Sequence, residues 1–222
     1  MFTPIPEALT AFSKSDSQLL TILVTKLITV ENGEFLIVLD DESRENEGDL
    51  IIAAEHASTE KMAFLVRYSS GYVCAPLTNA RADELELPLM VAKNNDRHGT
   101  AYTITVDFRE GTTTGISAHD RGLTCRKLAD SSATANDFMK PGHVVPLRAV
   151  DGGVLKRRGH TEAAVDLCKL TGLAPVGVIC EIVKDEDGLM ARRDDCLGFG
   201  KKHGIAVITI DALAEYIQSR SS

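Results

Sequence analysis

The chain has 222 residues, of which 44% are hydrophobic, and a formal net charge of -8 at pH 7. Its length allows a sizeable buried core, and the acidic balance argues against a nucleic-acid-binding protein, which needs a basic surface. Five widely spaced cysteines without a CxxC pair argue against a disulfide framework and a structural zinc site; they are Cys74, Cys125, Cys168, Cys180 and Cys196.

The first long apolar stretch, Leu19 to Val30, follows acidic and polar residues and is interrupted by Lys26. It lacks the basic segment of an export signal, and it is too short and too polar to span a bilayer. The spacing of its leucines predicts an amphipathic helix that ends at Asn32-Gly33. We therefore expect a cytoplasmic protein, and residues 1–32 receive no functional assignment.

Short strand-like runs then alternate with helical patterns. Strands are predicted at Phe35–Leu39, Gly71–Pro76, Ala101–Asp107, His143–Val150, Val176–Val183 and Ile205–Ile210. Helices are predicted at Thr59–Tyr68, Asp120–Ala129, Thr161–Leu170, Asp194–Lys202 and Asp211–Ser219. For the helix from Thr161, that residue is the candidate N-cap and Gly172 the stop. No repeat or Pro/Gly/Ser-rich linker divides the chain. The pattern predicts a single domain over residues 1–222, of layered α+β class, with a mixed β-sheet flanked by helices.

An acidic run follows the first predicted strand directly. It reads Asp40-Asp41-Glu42-Ser43-Arg44-Glu45-Asn46-Glu47-Gly48-Asp49. Carboxylates this close repel one another unless a cation neutralises them, and oxygen ligands suit Mg2+ or Mn2+. Arg44 is a candidate donor to a phosphate or carboxylate group. A solvated acidic turn is the alternative, but the preceding strand and the interleaved Arg44 and Gly48 favour a site.

Three later segments carry further candidate chemistry. His143 opens a strand between two prolines and is a candidate general acid or base, although a single histidine is more often structural. The segment from Asp151 to Glu162 combines glycines, three basic residues and a helix start, which together favour a phosphate site, with an ordinary basic turn before a helix as the alternative. Glu181 lies inside an apolar strand, where it is either exposed at a sheet edge or directed from a central strand into a pocket; its neighbours favour the pocket.

These segments resemble the 3,4-dihydroxy-2-butanone 4-phosphate synthase family. The similarity runs in order from about Gly33 to Tyr216, and it rests on seven motifs. They are the segments 40–49, 70–74 (Ser-Gly-Tyr-Val-Cys), 98–103 (His-Gly-Thr-Ala-Tyr-Thr), 114–121 (Thr-Gly-Ile-Ser-Ala-His-Asp-Arg), 141–148, 157–162 and 177–181.

The resemblance implies an enzyme of riboflavin biosynthesis. It implies conversion of D-ribulose 5-phosphate to L-3,4-dihydroxy-2-butanone 4-phosphate and formate, with Mg2+ or Mn2+ as cofactor, two ions in each active site and no organic cofactor. The chemistry would be Mg2+-dependent enediolate chemistry with a skeletal rearrangement. Other implications are a monofunctional form without the GTP cyclohydrolase domain of many relatives, and a homodimer with active sites shared between its chains.

The resemblance also assigns roles to individual residues. Glu45 and His160 would be the metal ligands, with His160 reaching its metal across the dimer interface. His143 and Glu181 would be catalytic, and Asp40 and Cys74 are secondary candidates. The substrate would contact Arg44, Glu45, Asp49, Arg157, Arg158, Gly159, His160, Thr161 and Glu181. At Arg158 the family varies, so this cation either strengthens phosphate binding or faces solvent.

Two alternatives remain at this point. One is another metal-dependent sugar-phosphate isomerase or aldolase, which would release no formate. The other is a non-enzymatic acidic metal-binding module. A calcium loop of that kind needs EF-hand spacing between two helices, whereas residues 40–49 follow a predicted strand.

Overall fold

The computed structural model describes residues 1–13 and 33–220. The helix predicted at Leu19–Val30 therefore lies outside the described residues. Within them, the α-helices are α1 (Ile5–Ser13), α2 (Thr59–Arg67), α3 (Asn79–Glu84), α4 (Ala118–Ala129), α5 (His160–Leu170), α6 (Arg193–His203) and α7 (Ile210–Arg220). Short 3-10 helices span Ala54–His56, Ala135–Asp137 and Gly153–Leu155.

The strands form one mixed sheet. They are β1 (Leu36–Leu39), β2 (Gly48–Ala53), β3 (Cys74–Leu77), β4 (Val106–Phe108), β5 (Phe138–Arg148), β6 (Gly177–Glu181) and β7 (Ala206–Thr209). Their order across the sheet is β4-β5-β3-β6-β2-β1-β7. The β1–β7 and β3–β5 pairs are parallel, and the other neighbours are antiparallel. The predicted mixed sheet is thereby confirmed.

Both faces of this sheet are covered by helices. Alternate residues of a strand point to opposite faces, and on β1 Ile37 joins one buried cluster while Leu36 joins the other. The first cluster includes Met62 of α2 and Leu128 of α4. The second includes residues of α1, α5 and α7. A sheet buried on both faces explains why its strands read as continuous apolar runs, and the α+β class is confirmed.

Several predicted boundaries are wrong for identifiable reasons. β2 was missed because it begins inside the acidic run, and α1 and α3 were missed as well. In the strand predicted at Ala101–Asp107, only residues from Val106 onward form a strand, while Tyr102 and Thr103 make isolated bridges. The strand predicted from Gly71 begins at Cys74, because Gly71 has a left-handed backbone with φ of 75°.

The helix predicted from Thr161 begins one residue earlier. Gly159 is its N-cap, and no side chain caps the helix. Thr161 is therefore not the N-cap. Across residues 1–13 and 33–220, every helix is too short or too polar to cross a lipid bilayer.

Candidate active site

The sheet brings the acidic loop and Glu181 together. In the antiparallel β2–β6 pair, Asp49 lies opposite Glu181. The loop between β1 and β2 is closed by the amide of Asp40, which donates to the carbonyl of Glu47 at 3.2 Å. Since β6 is the fourth of seven strands in the sheet, Glu181 lies on a central strand, as predicted. Carboxylates that are distant in sequence thus share one end of the sheet.

Asp40 organises the acidic loop. Its Oδ2 accepts hydrogen bonds from the amide of Glu45 at 3.0 Å and from Arg44 at 2.9 Å. Its Oδ1 accepts the amide of Glu47 at 2.8 Å. Hydrogen bonds from the loop thus occupy both oxygens of this buried carboxylate, so Asp40 fixes the loop backbone and has little capacity left for another ligand.

A second clamp on this loop comes from the residue before α6. The Nη1 of Arg192 donates to the carbonyls of Glu45 at 2.8 Å and Asn46 at 2.5 Å. Asn46 has a left-handed backbone with φ of 56°, a conformation that asparagine tolerates better than most residues. Arg192 therefore ties the distant helix to the peptide units beside Glu45.

His160, the first residue of α5, is buried and points at the acidic loop. Its Nε2 lies 3.1 Å from the carbonyl of Val38, to which only a protonated nitrogen can donate. In the neutral ring the lone pair then belongs to Nδ1, which lies 3.5 Å from Glu45 and 3.7 Å from Asp49. A backbone acceptor that orients the second ring nitrogen is typical of metal-ligating histidines.

This geometry corrects one expectation. His160 does not need to reach its metal across a dimer interface, because α5 packs on the sheet of its own chain and places the ring beside Glu45 of that chain.

The pKa values of Asp49, His160 and Glu45 are shifted because the acidic cluster has too few positive charges to neutralise it. Burial, reinforced by the carboxylates of Glu181 and Glu45, raises the pKa of Asp49 to about 7. Burial alone would lower the pKa of His160, but the carboxylates of Asp49 and Glu45 outweigh it and raise the pKa to about 9. Burial would likewise raise the pKa of Glu45, but hydrogen bonds and charges from His160 and Arg44 lower it to about 2. A bound cation would reduce the repulsion between these carboxylates.

The donor atoms fit a hard divalent cation. One ligand atom each from Asp40, Glu45 and His160 lies within 4.8 Å of the others, but the oxygens of Asp40 are already engaged by the loop, which leaves Glu45 and His160 as the main candidates. The Oδ1 of Asp49 is buried and has no hydrogen-bond partner, which is costly for a carboxylate unless a ligand completes it. Carboxylate oxygens and one imidazole nitrogen are suitable ligands for Mg2+ or Mn2+.

The start of α5 provides a place for an anion. Since no side chain caps this helix, the first amides are available to a ligand, and the helix dipole favours negative charge there. Arg157 lies just before it and is held by the buried Glu162 at 2.6 Å, by the carbonyl of His98 at 3.2 Å and by Thr100 at 3.2 Å. A guanidinium fixed in this way is pre-oriented for a phosphate group.

Arg158 is directed elsewhere. It forms an ion pair with Asp211 of α7, and its side chain is 49% exposed. This position corresponds to the solvent-facing alternative rather than to the phosphate site. Its assignment to substrate binding stays a prediction that the geometry does not favour.

Glu181 and Cys74 differ in what they can contribute to the site: the first is an oriented carboxylate and the second a buried thiol. Ser70 donates its hydroxyl to Oε2 of Glu181 at 2.7 Å, and the Ser70 amide donates to the Glu181 carbonyl at 2.8 Å, so the carboxylate is held in one orientation. Cys74 is buried, and burial raises the pKa of its thiol well above the usual value. A neutral thiol of this kind contributes packing rather than a nucleophile.

One cavity joins most of these residues. It is lined by Arg44, Glu45, Glu47, Asp49, Cys74, Thr100, Tyr102, Leu147, Arg157, His160, Thr161, Ile179 and Glu181. Most of the predicted substrate and metal residues are therefore brought together in one chain. Asp40, Arg158, Gly159 and His143 do not line it.

Sequence reasoning missed several residues of this region. Asp107, whose Oδ2 lies 2.7 Å from Nδ1 of His143, is a carboxylate next to apolar residues in a strand, the same signal that identified Glu181. Ser70, Thr100 and Tyr102 lie in motifs that were recognised only by resemblance. Arg192 carries no signal in the sequence, because its role depends on where α6 begins.

Comparisons with known proteins agree with one another. The sequence model of the 3,4-dihydroxy-2-butanone 4-phosphate synthase family matches residues 25–216. The protein of that name from Candida albicans is 64% identical over 217 residues, which cover 98% of both chains. The one from Saccharomyces cerevisiae is 60% identical, with 98% of this chain and 100% of the yeast protein covered. The riboflavin biosynthesis protein RibBA of Mycobacterium tuberculosis is 57% identical over 87% of this chain but only 47% of its own length.

Solved structures give the same result. The structure of the Candida albicans synthase has a TM-score of 0.84 at 63% identity and covers 98% of both chains. A 3,4-dihydroxy-2-butanone 4-phosphate synthase in complex with two magnesium ions has a TM-score of 0.86 at 49% identity, again with 98% of both chains covered.

Proposed function

The chain belongs to the 3,4-dihydroxy-2-butanone 4-phosphate synthase family of riboflavin biosynthesis, and from this we propose that it converts D-ribulose 5-phosphate to L-3,4-dihydroxy-2-butanone 4-phosphate and formate. The observation that carries the proposal is the cavity itself. It combines the carboxylates of Glu45 and Asp49 and the Nδ1 of His160 with Arg157 and an uncapped helix start. A small sugar phosphate needs both features.

Metal binding is proposed at the acidic side, with Glu45 and His160 as ligands and the unpartnered oxygen of Asp49 beside them. The similar synthase solved in complex with two magnesium ions supports magnesium binding, and the proposal includes two ions in each site, with Mg2+ or Mn2+ as the metal. Such ions would stabilise the negative charge that develops on the sugar oxygens during enediolate chemistry. No organic cofactor is included in the proposal.

The chain's own residues would divide the remaining work. Arg157, with Gly159, His160 and Thr161 at the start of α5, anchors the phosphate and thereby positions the reacting carbons. Arg44 and Asp49 contact the sugar. Glu181 is oriented by Ser70 and lies at the cavity wall, where it exchanges a proton with the sugar. Several proton transfers at different carbons require a second acid or base, which is the proposed role of His143.

His143 supports the proposal of a homodimer with shared active sites. It does not line the cavity of its own chain, and its side chain is 41% exposed. Apolar side chains also face outward on another segment: Leu89, Met90 and Val91 are 45–50% exposed. A large exposed apolar segment is typical of an interface. A second copy of the chain would cover it and would bring its own His143 to the cavity.

A cytoplasmic location is proposed from the cysteines. All five are free and buried, which is the usual state in a reducing compartment.

The test is formate release from D-ribulose 5-phosphate, measured with Mg2+ and then with EDTA. The expected result is formate that depends on the metal. D-ribulose without its phosphate is the control substrate and should react far more slowly, because it lacks the anchor at Arg157. A folded enzyme that consumes ribulose 5-phosphate without formate would instead favour an isomerase or aldolase.

A further inference from the structure

A buried carboxylate is paired with His143. Asp107 lies on β4 at a register shift in the β4–β5 pairing, which follows Val106, and its side chain is 5% exposed. Its Oδ2 lies 2.7 Å from Nδ1 of His143, and its Oδ1 accepts the His143 amide at 2.8 Å. One carboxylate therefore holds both the backbone and the ring of the same residue.

The surrounding chain is shaped around this pair. A Cβ at Gly115 would overlap Oδ2 of Asp107 and Nδ1 of His143, and Gly115 has φ of 92°, a backbone that favours glycine. The loop carrying Gly115 is fixed by Asp120, which accepts the amides of Thr113 at 3.1 Å and Gly115 at 3.0 Å. Close packing against Nδ1 leaves that nitrogen to Asp107 alone.

We infer that Asp107 is a positioning residue, which holds His143 as the Nδ1–H tautomer so that Nε2 carries out its proton transfers. An ionised carboxylate offers only acceptors, so the hydrogen of the neutral ring must lie on Nδ1 and the lone pair on Nε2. Nε2 accepts a proton from the sugar while the bonding electron pair stays on the sugar, and the imidazolium returns the proton in a later step. This inference rests on the proposed function, because it assumes that His143 is an acid or base in the reaction.

The first variant is Asp107→Asn, which keeps the shape and an acceptor for the His143 amide. Its NH2 group would face Nδ1 and donate to it, so the ring hydrogen moves to Nε2 and the basic lone pair is lost from the reacting side. We expect kcat for formate release to fall by about 100-fold to 10,000-fold. The KM for ribulose 5-phosphate and the Mn2+ affinity should change by less than about twofold, because the metal and phosphate residues are elsewhere.

A direct readout separates positioning from packing. In 15N NMR of the wild type, with His143 assigned by His143→Ala, we expect the Nδ1–H tautomer at neutral pH, and in Asp107→Asn the Nε2–H tautomer. A wild-type Nε2–H tautomer would overturn the inference, whether or not the variant folds and whether or not the enzyme releases formate. Failure of the proposed function shows separately, as absence of formate from the wild type.

Asp120→Asn is the matched control. Asp120 is also a buried carboxylate of this region, and its partners given above are not histidines. It should leave the His143 tautomer unchanged and lower kcat far less than Asp107→Asn. In a His143→Ala background, Asp107→Asn should cost less than about threefold, because residues that act as a unit are not additive. Equal losses in the two asparagine variants, or a full loss in the His143→Ala background, would contradict the inference.

Discussion

The metal side of the cavity and the Asp107–His143 pair are built in opposite ways. At the metal side, the carboxylates have too few hydrogen-bond donors and positive charges around them. Asp49 keeps a buried oxygen without a hydrogen bond, and its pKa is raised to about 7. At the Asp107–His143 pair, both carboxylate oxygens of Asp107 have a partner, one in the ring and one in the backbone amide of His143. The first region needs a ligand to complete it, whereas the second is complete but lies outside the cavity that it is proposed to serve.

This difference predicts two kinds of inactive variant. Glu45→Gln or His160→Ala should remove a metal ligand and lower formate release by more than about 100-fold. His143→Ala should lower it to a similar extent while leaving Mn2+ binding intact. Circular dichroism and thermal melting should show folded protein in all three. An active His160→Ala enzyme at ordinary Mg2+ would remove the ligand assignment.

Mixing two inactive variants sharpens the same prediction. If each site combines the metal side of one chain with His143 of the other, a heterodimer of Glu45→Gln and His143→Ala has one intact site. Random pairing after denaturation and refolding of an equal mixture makes about half of the dimers mixed, so about a quarter of the wild-type activity should return. No recovery from a sample shown to contain heterodimers would place both groups in one chain's site.

The clamp on the acidic loop should have a smaller effect. Arg192→Lys keeps the charge but loses the planar guanidinium whose Nη1 donates to the carbonyls of Glu45 and Asn46, so Glu45 should be held less well. We expect the Mg2+ concentration for half-maximal activity to rise about tenfold, with kcat at saturating Mg2+ changed less than about threefold. Mn2+ binding followed by electron paramagnetic resonance gives the same comparison without turnover.

The neighbouring arginine supplies the control for this clamp. Arg193 stacks on Phe2, with its guanidinium carbon 4.7 Å from the ring centroid, so Arg193→Lys should leave the Mg2+ dependence unchanged. If Arg192→Lys and Arg193→Lys behave alike, the hydrogen bonds to the loop have no part in holding Glu45.

The metal-free protein should lose stability as the pH rises from 7 to 9. The pKa of His160 is raised from its ordinary 6.5 to about 9, so its contribution to stability is complete below pH 6.5 and disappears as the pH passes through 9. The raised pKa of Asp49, about 7, lowers stability mainly as the pH rises from 3.8 to 7, so Asp49 adds only a small part of the loss above pH 7. Glu45, with its pKa lowered to about 2, does not titrate in this window.

Thermal melting in EDTA and in Mg2+ measures this effect. In EDTA we expect Tm to fall by several degrees between pH 7 and pH 9, as a loss of 1–3 kcal/mol would produce in about this length of chain. The rise in Tm caused by Mg2+ should be larger at pH 9, because fewer protons compete for His160. A Tm in EDTA that is constant over this range would show that the carboxylates do not hold a proton on His160.

Structural features could be predicted from the sequence where they depend on a pattern of neighbouring residues. Glu181 on its apolar strand and the acidic run after β1 were found because each breaks a hydrophobic pattern at a strand end. The helix from His160 was found by its periodicity, to within one residue. Arg192 and the orientation of His160 could not be predicted, because they depend on contacts between elements far apart in the chain, and β2 was hidden by the charged residues at its start.

Arg158 offers the smallest expected effect and a boundary for the phosphate site. It pairs with Asp211 at the surface, and exposed ion pairs contribute little, so Arg158→Ala should change KM for ribulose 5-phosphate and Tm only slightly, by less than about twofold and 1–2 °C. Arg157→Ala, its neighbour inside the cavity, should raise KM by more than about tenfold, because it removes a guanidinium held toward the start of α5. Steady-state kinetics of the two variants side by side decide the question. Equal increases in KM would mean that Arg158 leaves Asp211 when substrate binds and that the phosphate site extends beyond the cavity.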